Sequence, residues 1–148
     1  MTASSSAPVN DPHAPLATPQ KLTTAQEVRL QLARDYPPGS LSWIDDLAWQ
    51  PQPVMVPARQ LDRSGDDPNW ALAAKDRLKV ASFMSRIRSG VRKPVVAVRR
   101  PGTPLLRLID GHTRALACIA LGQPVTAWVG TAKTPTGPWD ETHRRKAN

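Results

Sequence analysis

The sequence predicts a small α+β domain in which a mixed sheet carries two main helices behind a disordered N-terminal tail. Three observations predict it: an amphipathic run over 67–90 closed by glycine, two β-rich runs over 94–109 split by a Pro/Gly turn, and a switch from strand to helix directly after Asp110. A length of 148 residues fits one ordinary domain. Sixteen prolines against five Trp, one Tyr and one Phe place part of the chain outside its core.

Residues 1–25 are Ser, Ala, Pro and Thr with almost no large apolar side chain, so they cannot bury enough area to offset their ordering entropy and are expected to be a disordered tail. Residues 26–53 are expected to hold a short helix and a clasp. The helix runs over about 24–34 with Thr23 or Thr24 as its N-cap and Glu27 near the third position, and Pro37-Pro38-Gly39 ends it. Trp43, Ile44, Leu47 and Trp49 then form an apolar cover. The domain proper is expected over 54–130, with a flexible basic tail over 131–148.

Val54-Met55-Val56, held between Pro53 and Pro57, reads as a first strand at a sheet edge. Asp67 is a candidate N-cap with Pro68 at the first helical position. The helix it opens keeps Val80, Phe83, Met84 and Ile87 on one stripe and Lys79, Arg86 and Arg88 off it, and Gly90 stops it. VVAVRR and LLRLID, joined by a PGTP turn, form a hairpin. GHTRALACIALG places Leu116, Ile119 and Ala120 on one helical face and stops at Gly122, and PVTAWV makes the last strand.

Charge is distributed unevenly. Residues 1–58 hold three Lys/Arg against five Asp/Glu, whereas residues 59–148 hold 17 against seven. Within 75–114 the count is 11 basic against two acidic, which points to a polyanionic partner. Lys79, Arg86 and Arg88 on the helix, with Arg99, Arg100 and Arg107 on the hairpin, are the candidate nucleic-acid contacts. No run approaches the ~18–20 apolar residues of a membrane span, and no basic start precedes an apolar stretch. A cytoplasmic protein with no membrane partner is expected. Cys118 stands alone, so it cannot pair within the chain or build a Cys-based zinc site.

The chemistry-bearing signal is Ile109-Asp110-Gly111-His112-Thr113-Arg114-Ala115, set where strand becomes helix. Unpaired backbone N–H groups and the positive end of the helix dipole point outward there together, which makes an anion site. Gly111 permits close approach of the backbone, Thr113 offers a hydroxyl, and Arg114 offers a planar cationic fork, so these three are the phosphate-binding candidates. Asp110 and His112 are the catalytic candidates, as carboxylate base and as proton relay, and Asp110 is also the metal candidate. Taken singly, Asp-Gly also marks an ordinary turn and Thr113 an ordinary cap. There is no Walker loop, no Cys/His metal spacing and no Gly-x-Ser-x-Gly.

The order VP strand, basic amphipathic helix, KPVVAV, LIDGHTRALACIALG and PVTAWV resembles the ParB/sulfiredoxin-like fold over about residues 54–130. That resemblance implies a phosphate-handling loop at the strand–helix junction. Its families include partitioning proteins that bind CTP and DNA, nucleases, sulfiredoxins that use ATP, and kinases of free serine. Sulfiredoxins carry Gly-Cys-His-Arg, but His112 follows Gly111 here and the nucleophilic Cys is missing; Cys118, a turn further on, reads as a small core residue. Of the partitioning Gly-Glu-Arg-Arg only Gly111 and Arg114 remain, and there is no room for the other domains of those proteins. The serine kinases carry Asp-Gly-His-Thr-Arg, which Asp110 to Arg114 match letter for letter, and use an early acidic residue for which Asp62, Asp66 and Asp67 are all candidates. Phage-encoded proteins of this fold carry similar loops on short chains with Pro-rich tails.

The expected function is therefore binding of the phosphate groups of a nucleotide (ATP, ADP or CTP) or of nucleic acid at 110–114, with Mg²⁺-dependent phosphoryl transfer or phosphodiester cleavage as the associated chemistry. Two alternatives stand beside it: a non-catalytic DNA-binding or phage assembly protein, and a kinase of a small hydroxyl substrate such as free serine.

Overall fold

The computed structural model describes residues 21–140. Thr23 caps helix α1 (Thr24–Leu32) with a capping box: its side chain accepts from the Gln26 N–H while the Gln26 side chain accepts from the Thr23 N–H. The reciprocal partner is thus Gln26, one residue before the expected Glu27. Of the expected disordered tail, residues 1–20 lie outside the described residues, and Thr24 and Ala25 already belong to α1. Short 3₁₀ turns over Pro38–Ser40 and Ser42–Asp46 carry the chain into β1 (Ala48–Trp49) and β2 (Val54–Val56).

The single helix expected after Asp67 is two helices. Helix α2 (Pro68–Lys75) starts at the Asp67 cap, and α3 (Arg77–Arg88) starts one residue beyond its end. Asp76 forms the joint, because its carboxylate accepts from the Lys79 N–H and caps α3 while its own backbone leaves the helical region at φ −91°, ψ 74°. Strands β3 (Val95–Arg99) and β4 (Leu106–Asp110) form the hairpin, α4 (His112–Ala120) follows, and β5 (Val125–Thr131) closes the fold.

The sheet is mixed, as the fold class requires. It runs β1-β5-β3-β4, with β5 parallel to β3, β3 antiparallel to β4, and both short strands β1 and β2 antiparallel to β5 on its outer edge. β3 is buried on both faces, so its alternate residues feed two cores. Val95 and Ala97 join Val125, Ala127, Leu108, Ile87 and Trp70 beneath α2, α3 and α4. Val96 and Val98 join Val28, Leu32, Tyr36, Leu41, Trp43 and Ile44 beneath α1 and the clasp. The second core also takes in Ala132 and Trp139, both nearly fully buried. The segment expected as a flexible tail from 131 is therefore anchored by Ala132 at its start and by Trp139 and Asp140 at its end, with residues 133–136 exposed between them; residues 141–148 of that tail lie outside the described residues. No described helix is long and apolar enough to cross a membrane.

Candidate functional site

Strand β4 is buried along its whole length and delivers Asp110 to the start of α4. Gly111 makes the corner with φ +97°, a conformation that side-chain-bearing residues rarely adopt. A Cβ there would lie 2.5 Å from Val95 Cγ1, so only glycine lets α4 begin this close to β3. Gly111 is the N-cap and supplies no side chain to the first-turn N–H groups, while His112, Thr113 and Arg114 form that turn. The five residues of the motif thus occupy the junction expected of them.

A cavity of about 490 Å³ opens in front of this turn. Four cations line it, Arg34, Lys79, Lys93 and Arg114, together with the carboxylates Asp35, Asp76 and Asp110. Arg114 donates from Nη1 to the Pro94 carbonyl at 2.9 Å and lies over the Phe83 ring at 5.4 Å. Burial pulls its pKa down and the nearby Arg34 and Arg86 add to that, while Asp110 opposes it. Lys93 is lowered in the same way, by burial first and then by Arg34 and Arg114, again against Asp110. An anion bound beside Arg114 and Lys93 offsets both their burial and the neighbouring positive charge.

Helix α1 supplies the opposite wall. Gln31 Nε2 donates to the Pro94 carbonyl at 2.9 Å and to Asp110 Oδ2 at 3.2 Å, which ties the clasp to the loop. The turn after α1 brings Arg34 and Asp35 to the cavity. None of Gln31, Arg34 or Lys93 belongs to the sequence motif. Only the surplus of Lys/Arg around residues 75–114 hinted at Lys93, and nothing local marked Gln31 or Arg34.

Of the three early acidic residues Asp62, Asp66 and Asp67, Asp67 is the one packed against the loop. Asp67 Oδ2 lies 2.7 Å from His112 Nε2, both side chains being almost fully buried, and Asp67 Oδ1 accepts from the Asn69 N–H at 2.9 Å. The Trp70 ring packs edge-on to the imidazole at 4.9 Å. This bond joins the N-termini of α2 and α4, so residues from both helix starts, Asn69 and Gly111 to Thr113, line one cavity. His112 itself sits behind the loop at 2 % exposure.

Asp62 and Asp66 face elsewhere. Arg100 Nη2 lies 2.6 Å from Asp62 Oδ2, and Arg107 Nη2 lies 2.8 Å from Asp66 Oδ2 and 3.7 Å from Asp62 Oδ2. Burial pushes the Asp62 carboxyl up, but hydrogen bonds from Ser64 and Arg100 and the charge of Arg107 outweigh it and hold the group below the ordinary range. The Ser64 hydroxyl, followed by Arg107, holds Asp66 low as well. Arg107 is 7 % exposed and Arg100 is half-buried, so these two leave the free basic surface on which the sequence placed them; both are engaged with carboxylates of the 62–66 loop. Lys79, Arg86, Arg88 and Arg99 are exposed.

Among the described residues no three His, Cys, Asp or Glu side chains gather as a metal-ligand set. Asp110 is then the single carboxylate at the loop for a divalent ion, a set that suits Mg²⁺ held largely by phosphate oxygens and water and does not suit an all-protein metal cage. Cys118 is buried among apolar neighbours, and burial pushes its thiol pKa up, away from the thiolate form a nucleophile needs.

No family model and no curated protein matches the chain. Among solved structures, sulfiredoxin from Arabidopsis thaliana is similar to it, with 26% sequence identity over 66% of this chain and 99% of that one and a TM-score of 0.45.

Proposed function

We propose that the cavity before α4 binds the phosphate groups of a nucleotide and that the site transfers a phosphoryl group. The observation that carries this reading is the convergence of Arg34, Lys79, Lys93 and Arg114 with the starts of α2 and α4 on one cavity of about 490 Å³, large enough for a mononucleotide. Gly111 exposes the backbone N–H groups, Thr113 adds a hydroxyl, and Arg114 adds its fork. Asp110 would hold Mg²⁺, which when bound neutralises charge on the phosphate oxygens.

One feature favours a small hydroxyl-bearing acceptor over water alone, and a second favours transfer itself. Asp35 and Asp76 line the cavity beside the cations and offer acceptors for its polar groups. Asp67 fixes His112 and with it the first turn of α4, so donors to the transferred group are preorganised. The missing loop cysteine and the buried Cys118 speak against thiol chemistry. Calorimetric titration with ATP, ADP and CTP, with and without Mg²⁺, tests the binding step. Saturable binding by at least one of them is expected. Failure of all three would remove the nucleotide reading.

A further inference from the structure

Helix α3 presents a face with no partner among the described residues. Of its 12 residues only Ile87 is fully buried, and Val80, Phe83 and Met84 complete its attachment to the core. At about 100° per residue, Arg77 and Arg88 fall on one flank of the exposed surface and Lys79 and Arg86 on the other. Between the flanks lie Ala81, Ser82 and Ser85, small side chains that are all exposed, and Leu78 at 86% exposure. The helix contains no acidic residue, and none of its four cations is ion-paired with a described carboxylate.

We propose that this face of α3 is a docking surface for duplex DNA that adjoins the nucleotide cavity and shares only Lys79 with it. Charge complementarity selects the partner: a ridge with cations along both edges and a single apolar side chain suits a polyanion and gives a lipid or an apolar protein surface little to bury. Shape narrows it further. A helix is roughly 10–12 Å across and enters a B-form major groove of about 12 Å, where the two cationic flanks reach the phosphates of both strands. Small residues along the crest permit that approach, and Ser82 and Ser85 add hydroxyls to it. With no Asn, Gln or Arg on the crest to read base edges, binding is set by the backbone and is weakly sequence-selective.

The test is fluorescence anisotropy of the full chain with a labelled mixed-sequence DNA duplex of about two helical turns, roughly 20 base pairs. Four phosphate contacts give a slope of log affinity against log salt of about −3.6, a fall of about a hundredfold between roughly 50 and 200 mM. The double variant Arg77→Glu with Arg88→Glu should reduce the slope to about −1.8 or less. Ser82→Glu with Ser85→Glu should abolish binding while leaving every native cation in place. Both pairs are exposed and lie outside the cavity lining, so an unchanged thermal transition and unchanged nucleotide titration certify the fold. The proposal is overturned by absent binding of the parent at 50 mM salt, by variants that bind DNA as the parent does, or by equal affinity for an RNA duplex, whose major groove is too narrow for a helix. Loss of the nucleotide reading with DNA binding intact would overturn only that reading.

Discussion

At one end of the 62–67 loop, Asp62 and Asp66 meet Arg100 and Arg107, and at the other end Asp67 meets His112 beside Arg114 and Lys93. The first corner matches its charges pair by pair, and Asp62 and Arg107 are buried. The second corner opens onto a cavity where four cations face three carboxylates and two helix starts. Both use the same residue types from neighbouring stretches of chain. Neutralised charge holds a loop in place, whereas surplus charge around a cavity is held ready for a ligand.

The sharpest way to break that distinction is Arg107→Met. Removing Arg107 leaves buried Asp62 with Arg100 alone and leaves the exposed Asp66 to water, so the variant should lose up to about 3 kcal/mol of stability, the low end of the range for breaking a buried pair, as read by urea unfolding. Because folding lowers the carboxyl pKa of Asp62 and Asp66, their contribution is fully present above the ordinary carboxylate range and disappears as pH falls through their lower folded values. The parent's stability should therefore drop steeply below about pH 4, and Arg107→Met should flatten that drop. An equal acid dependence in both proteins would show that the network carries no pH-linked stability.

Gly111→Ala probes the junction between strand and cavity. The positive φ and the 2.5 Å approach to Val95 Cγ1 together should cost about 2–4 kcal/mol, with loss of phosphate binding in whatever fraction remains folded. At the open corner, Arg114→Ala should weaken nucleotide binding by about 1.5–3 kcal/mol, roughly ten- to a hundredfold, while changing stability far less than Arg107→Met. A reversed order, with Arg114→Ala unfolding the chain and Arg107→Met only weakening ligand binding, would exchange the roles of the two corners. The smallest effect belongs to Cys118→Ala, which should leave nucleotide binding unchanged and lower stability by about 1 kcal/mol.

Local signals were legible in the sequence and tertiary ones were not. The residues 109–115 motif placed β4, the Gly111 corner and α4 correctly because strand period, glycine and helix period all change within a few residues. The same local logic joined α2 to α3, since Asp76 looks like any polar residue on a helical stripe until its carboxylate is seen capping Lys79. Arg100 and Arg107 read as a basic surface because alternation along β3 and β4 cannot show that a loop some 40 residues earlier folds over them. Gln31 and Arg34 reach the cavity through the packing of Val28 and Leu32 beneath the sheet, a contact between segments far apart in the chain. Trp139 reads as part of a tail from its Pro, Thr and Gly neighbours, yet one buried indole is enough to anchor that segment.

The central claim is that the ligand's phosphates lie at the start of α4 and not at the paired corner. NMR shift mapping of the full chain with ATP and Mg²⁺ tests it most directly. The account predicts saturable amide shifts at Gly111, His112, Thr113 and Arg114, accompanied by Lys93 and Asn69, with Asp62, Asp66 and Arg107 unmoved. Shifts concentrated at Arg100 and Arg107, or no saturable shift at 111–114, would contradict it.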